Sequence, residues 1–183
     1  GGNTVSQQGY FKMVDKSRED FPVHADGKVW FSTGDIGAMD ADGCLSIIDR
    51  KKDIVKLSGG EFVSLSKVEA TLKQDLQMVA VVVFAHPDKD HCVAIVSQPE
   101  SGWGSVGGRP CEETLVGSVE QKLRSLGFPR FEIPAKLRVD DLVWTSQNGL
   151  LTAAQKIQRH RLRNHYNDRG GVLDMMDYRF PEH

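Results

Sequence analysis

Apolar positions change their spacing along this chain, and each spacing predicts a different element. Met78-Val79-Ala80-Val81-Val82-Val83-Phe84 is continuous and β-branched, the pattern of a strand covered on both faces. Cys92-Val93-Ala94-Ile95-Val96 predicts its partner across the Pro87-Asp88 turn, so the two strands should form a central antiparallel sheet. Leu65, Val68, Glu69 and Leu72 recur at helical spacing through about Lys73, with Ser64 or Ser66 as the cap. A second helix is expected from Glu112 to Leu126, a strand from Ile133 to Val143, and a helix from Ala153 to Tyr166 with Ile157 and Leu162 on one side. Upstream, Ala41-Asp42-Gly43 separates Met39 from Leu45-Ser46-Ile47-Ile48 as a hairpin turn would. Ile54-Val55-Lys56-Leu57 reads as a short strand stopped by Ser58-Gly59-Gly60, and Gln98 to Pro110 as a loop.

The β-rich segment before Asp49 is too small and too glycine-rich to close its own core, so the chain is expected to begin inside a larger domain. The boundary falls at Asp49 to Asp53, and residues beyond it are long enough to fold alone. The fold class is therefore α+β. No internal repeat is present, which excludes solenoids and propellers.

Composition narrows the function classes. Hydrophobic residues make up 39% and charged residues 26%, the balance of a globular chain. A net charge of -2 with both signs interspersed gives no field for nucleic acid, so none is expected as a partner. The 3 cysteines, Cys44, Cys92 and Cys111, are not closely paired, which fits a reducing compartment. The longest apolar stretch, Met78 to Ala85, falls well short of the roughly 20 residues that span a bilayer. A peripheral membrane association of the parent protein stays open.

Thr33-Gly34-Asp35 places an acceptor-only carboxylate after a sharp backbone turn, suited to a vicinal diol such as ribose; an aspartate that merely fixes a turn has the same sequence. Arg50, Lys51, Lys52 and Lys56 near a glycine turn suit a phosphate-bearing ligand, or else a solvated strand edge. Gly59-Gly60 lets backbone approach a ligand closely, or makes a plain strand-to-helix turn. Lys156 falls near a predicted helix N-terminus, where the dipole disfavours a cation, which hints at function; Arg159, His160, Arg161, Arg163 and His165 mostly read as a solvated helix face. No metal site is assigned.

In combination, Trp30-Phe31-Ser32-Thr33-Gly34-Asp35-Ile36-Gly37, Asp42-Gly43-Cys44-Leu45 and Ile48-Asp49-Arg50-Lys51-Lys52-Asp53-Ile54-Val55-Lys56-Leu57-Ser58-Gly59-Gly60-Glu61 resemble the adenylate-forming superfamily in order and spacing. The run from Asp49 to Leu57 and the following Gly60-Glu61-Phe62-Val63-Ser64-Leu65 resemble its long-chain fatty acyl-CoA synthetase branch. Gly1-Gly2-Asn3-Thr4-Val5, Gly9-Tyr10-Phe11-Lys12, Phe131-Glu132-Ile133-Pro134-Ala135 and Gly149-Leu150-Leu151-Thr152 leading to Lys156 resemble that branch too.

The resemblance implies a C-terminal portion: residues 1–49 as the end of the large domain, 50–53 as hinge, 54–167 as a mobile lid and 168–183 as a tail. It implies a reaction in which a fatty carboxylate attacks the α-phosphate of ATP, accompanied by magnesium, and the thiol of CoA then displaces AMP. Asp35 would hold the ribose hydroxyls, Arg50 would assist at ribose or phosphate, and Lys52 would be the hinge residue. Lys156 would serve adenylation; after lid rotation Lys56 and the small Ser58, Gly59 and Gly60 would face the pantetheine of CoA. The phosphate loop, adenine pocket and fatty-acid tunnel of the family are not in this sequence, so the fragment alone is expected to be inactive and to bind none of its co-substrates tightly. The expected location is the cytoplasm or the cytoplasmic face of an organelle membrane. The alternatives are a non-catalytic protein-binding module with the lid fold, and a fatty acyl-AMP ligase that stops at the adenylate.

Overall fold

The computed structural model describes residues 9–75, 78 and 80–168. The Gly1 to Val5 motif, Val79 and the tail beyond 168 lie outside the described residues. The chain divides into two compact units, with the division between Lys52 and Asp53.

The first unit holds helix α1 (Val14–Asp20) and a hairpin of β1 (Asp35–Met39) and β2 (Leu45–Arg50). The hairpin turn forms where the sequence placed it. Asp40 Oδ1 accepts from the N–H groups of Asp42 and Cys44 at 3.0 and 2.8 Å, and Gly43 supplies the left-handed residue at φ 81°. The periodicity did not announce α1. None of its residues is buried, and the Lys16 pairs with Glu19 and Asp20 lie along its exposed surface. Among the described residues of this unit none is buried, and the hairpin leaves Met39, Leu45, Ile47 and Ile48 exposed.

The second unit contains β3 (Ile54–Lys56), β4 (Phe62–Ser64), α2 (Leu65–Asp75), β5 (Ala80–Ala85), β6 (Cys92–Ser97), α3 (Glu112–Ser125), β7 (Lys136–Asp140) and α4 (Arg159–Asp168). Both helices expected between 64 and 126 form within a few residues of their predicted ends, and Ser64 Oγ accepts from the Lys67 N–H as an N-cap. The three-stranded sheet has the order β5-β6-β7. Its strands alternate between two cores, as a period of two requires. Val81, Val83, Ala94 and Val96 pack beside α2 and α3 residues such as Val68, Leu72, Val119 and Leu123. Val82, Phe84, Val93 and Ile95 pack with Trp144, Leu150, Leu162 and Tyr166.

The structure differs from the sequence-based expectation in three elements. The β5–β6 pair is antiparallel as expected, but β7 joins β6 in parallel, so the sheet is mixed; α3 supplies the crossover that a parallel neighbour needs. The strand expected over Ile133 to Val143 is confined to Lys136–Asp140: Pro134 has no N–H to donate before it, and after it Asp140 Oδ1 accepts from the Leu142 N–H at 3.1 Å and turns the chain. The last helix starts at Arg159 rather than Ala153.

Candidate active site

Asp35 opens β1 and Arg50 closes β2, and the two are register partners at the open end of the hairpin. Arg50 Nε lies 3.9 Å from Asp35 Oδ1, a loose pair on a partly solvated surface. The Asp35 N–H donates to Thr33 Oγ1 at 3.1 Å, and the Lys51 N–H donates to the Gly34 carbonyl at 2.8 Å. It is therefore the threonine hydroxyl that shapes this turn, while the aspartate carboxylate faces Arg50. Lys52, in the 3-10 turn Lys51–Asp53, is exposed.

In the second unit, β3 pairs with β4 in the register Ile54–Ser64, Val55–Val63 and Lys56–Phe62, with Lys56 Nζ 5.9 Å from the Phe62 ring centroid. Buried Leu57 anchors the end of the strand, its N–H donating to the Glu61 carbonyl at 2.8 Å. Ser58, Gly59 and Gly60 are thus the exposed turn of a second hairpin, not a direct passage from strand to helix. Gly60 holds φ 96°, which only glycine adopts readily, and a Cβ at Gly59 would run into the Glu61 carboxylate. The turn therefore accounts for Gly60, whereas the Glu61 carboxylate near Gly59 is the end of an exposed side chain that can swing aside. Ser58 is tied to the loop between β5 and β6 by its N–H to the Lys89 carbonyl at 3.0 Å. Beside it runs an open groove of about 550 Å³ lined by Lys56, Ser58, Pro87 and Arg163, so two cations reach one concavity.

Lys156 is not on a helix, which removes the conflict with the helix dipole. It stands at the end of a small loop closed by the Leu151–Ile157 bridge. The Lys156 carbonyl accepts from the Thr152 N–H at 2.8 Å, and its N–H donates to Thr152 Oγ1 at 3.1 Å. Gln155 takes φ 57° to make the turn. Gln158 then staples the loop from below: its Nε2 donates to the carbonyls of Gly149 and Leu151 at 3.0 and 2.9 Å. These local bonds delay the start of α4 to Arg159, and Lys156 is left exposed at a fixed backbone position.

Sequence reasoning assigned no role to Gln158 and placed Arg159 on a solvated face. Arg159 is half-buried and pairs with Glu69, which is itself 6% exposed. The available signal was Glu69 itself, an acid on the apolar stripe of α2, since a buried carboxylate requires a partner. Arg50 and Lys52 belong to the first unit, whereas Lys56, Lys156 and Arg159 belong to the second. Among the described residues no His, Cys, Asp or Glu cluster is arranged to hold a metal ion, and no helix is long and apolar enough to cross a membrane.

No protein-family model matches the chain. A long chain acyl-CoA synthetase 8 of Arabidopsis thaliana is 41% identical over 184 residues, covering 92% of this chain and 25% of that protein. A fatty acyl-CoA synthetase B of Dictyostelium discoideum is 32% identical, covering 91% and 26%. Among solved structures, the A domain of a carboxylic acid reductase from Segniliparus rugosus, in complex with AMP and a co-purified carboxylic acid, aligns with a TM-score of 0.76 at 28% identity, over 92% of this chain and 26% of that one. The chain thus spans about a quarter of the length of the curated relatives it matches.

Proposed function

We propose that this chain, which is similar to a long-chain acyl-CoA synthetase over 92% of its length, comes from the C-terminal portion of an AMP-forming fatty acid–CoA ligase and carries its catalytic lid and adjoining hinge. The whole protein would activate a fatty acid with ATP to an acyl-adenylate and pass the acyl group to CoA. The observation that carries this reading is the placement of two exposed lysines at separate places on one compact unit: Lys156 on its stapled loop and Lys56 at the end of β3, beside the Ser58 turn.

Presented to the reaction centre, Lys156 would place a cation where negative charge gathers between the carboxylate and the α-phosphate, orienting and stabilising without forming a covalent bond. A rotation about the segment at Lys52 would replace it by Lys56 and the Ser58-Gly59-Gly60 turn for thioester formation. The division of the chain between Lys52 and Asp53 supports a hinge there. Asp35, with its carboxylate not consumed by the turn, would accept from the ribose hydroxyls, and Arg50 beside it would reach ribose or phosphate. Magnesium enters this proposal with ATP, and no residue of this chain is assigned to it.

The exposed apolar hairpin of the first unit supports its being the end of a larger domain, which would supply the phosphate loop, adenine pocket and acyl tunnel. On that account the chain by itself is inactive. A location of the whole protein in the cytoplasm or, by peripheral attachment, on the cytoplasmic face of an organelle membrane belongs to the same proposal. Pyrophosphate exchange with palmitate, compared between this chain and the same chain extended upstream, tests the reading: exchange in the extended protein alone is expected, and its absence from a folded extended protein overturns it.

A further inference from the structure

Glu69 occupies a place on α2 where helical spacing calls for an apolar side chain, and it is 6% exposed. Its carboxylate accepts from the Val83 N–H at 2.8 Å and from both terminal nitrogens of Arg159. The same guanidinium donates to the Val83 carbonyl at 2.8 Å and lies 3.5 Å from Asp53. Arg159 is thus fixed to α2, to β5 and to the segment just before β3.

A buried ion pair is an inefficient stabiliser, because desolvation offsets most of the attraction. Docking of α4 has other sources: Leu162 and Tyr166 on that helix are 0% and 1% exposed. What the planar, forked guanidinium adds is direction. Arg159 follows Lys156 by three residues, and both residues between them are anchored. Ile157 bridges to Leu151, and Gln158 binds two carbonyls of the loop. A shift of Arg159 is therefore passed to the base of the lysine loop instead of being absorbed along the way.

We infer that Arg159, acting through Glu69, is a positioning residue for Lys156 that holds the loop in the geometry adenylation requires; this rests on the proposed role of Lys156. Lys56 does not depend on the network. Asp53 touches Arg159 only at 3.5 Å, and the three register pairs between β3 and β4, with Leu57 buried behind them, hold that strand. The loss of Arg159 falls on one half-reaction.

The test uses the protein carrying its upstream region, with pyrophosphate exchange reporting adenylation and thioester formation from supplied acyl-adenylate reporting the second step. Arg159→Gln and Glu69→Gln should each lower kcat for exchange by about tenfold or more, with KM for ATP and the thioester step held within about twofold. Arg159→Lys, which can still reach one partner, should keep part of the rate and the melting temperature. In a Lys156→Ala background, Arg159→Gln should cost nothing further, since a residue that acts through the lysine has nothing left to position. An additive loss in the double variant, an equal fall in both half-reactions, or wild-type exchange in Arg159→Gln would each overturn the inference. Wild-type exchange in Lys156→Ala would instead overturn the reading of the lysine, and this inference with it.

Discussion

Val83 and Val139, on opposite edge strands of the three-stranded sheet, are held in the same way: an acid takes the backbone N–H and an arginine takes the carbonyl. Glu69 and Arg159 do this for Val83 on β5, Glu112 and Arg109 for Val139 on β7. An open edge offers its backbone to any passing strand, and side chains that occupy it remove the offer.

At the β7 edge, Glu112→Ala should lower stability by about 1–2 kcal/mol, because the Val139 N–H loses this acceptor and the Arg138 guanidinium loses this carboxylate. Desolvation alone would raise the Glu112 carboxyl; the Val139 N–H and the Arg138 and Arg109 guanidinium groups overcome it and hold the pKa below its ordinary 4.5. Since the folded state binds this proton more weakly than the unfolded state, the stabilisation is present above that pH and fades as acid protonates the group. Urea unfolding at neutral pH and below pH 4.5 should show the gap between wild type and variant narrowing with acid. A constant gap would assign the loss to packing.

Tyr166→Phe removes a single oxygen from a buried relay. That hydroxyl accepts from Trp144 Nε1 at 2.9 Å and donates to Asp140 Oδ2 at 2.7 Å. The variant should lose about 1–3 kcal/mol and shift tryptophan emission, as the indole N–H and the carboxylate are left without that partner. Thermal unfolding with fluorescence detection measures both effects.

The cysteines should separate by reactivity. Burial pushes the Cys92 thiol up to about 12, whereas N–H groups of Thr114 and Glu113 at the start of α3 lower that of exposed Cys111. Alkylation at neutral pH should label Cys111 first and leave Cys92 unmodified until the chain unfolds. The unfolded thiol ionises near 9.0 and the folded one only near 12, so the contribution of Cys92 is complete below about pH 9 and is lost as pH rises between these values. Cys92→Ala should remove that part of the alkaline stability loss.

On the proposed mechanism, Lys156→Ala in the extended protein should slow adenylate formation by about 100-fold, the scale for loss of one electrostatic stabiliser. Thioester formation from supplied acyl-adenylate should survive. Lys56→Ala should give the opposite pattern, and equal losses in both steps from either variant would mark that lysine as structural.

The central strands were legible because continuous β-branched runs of that length have few other uses, and α2 and α3 because capping and period agreed. The direction of β7 was not legible, since the stretch from Gln98 to Lys136 is long enough to bring a strand back either way. The helical spacing before Arg159 misled for a local reason: the Lys156 N–H goes to the Thr152 hydroxyl, the Lys156 carbonyl to the Thr152 N–H and the Gln158 N–H to the Leu150 carbonyl, so these groups are not free to form helical bonds. For the site, individual residues such as Asp35, Lys56 and Lys156 could be picked out, but their support could not. The Glu69–Arg159 pair joins residues 90 positions apart, a separation at which periodicity carries no information.

The parallel pairing of β6 with β7 fixes an order of assembly. The β5–β6 hairpin can close as soon as both strands exist, but its second edge stays open until α3 and β7 have followed. During synthesis the most apolar segment of the chain therefore waits half-covered on the ribosome, and this interval, more than any weakness of the finished sheet, is where mispairing would begin.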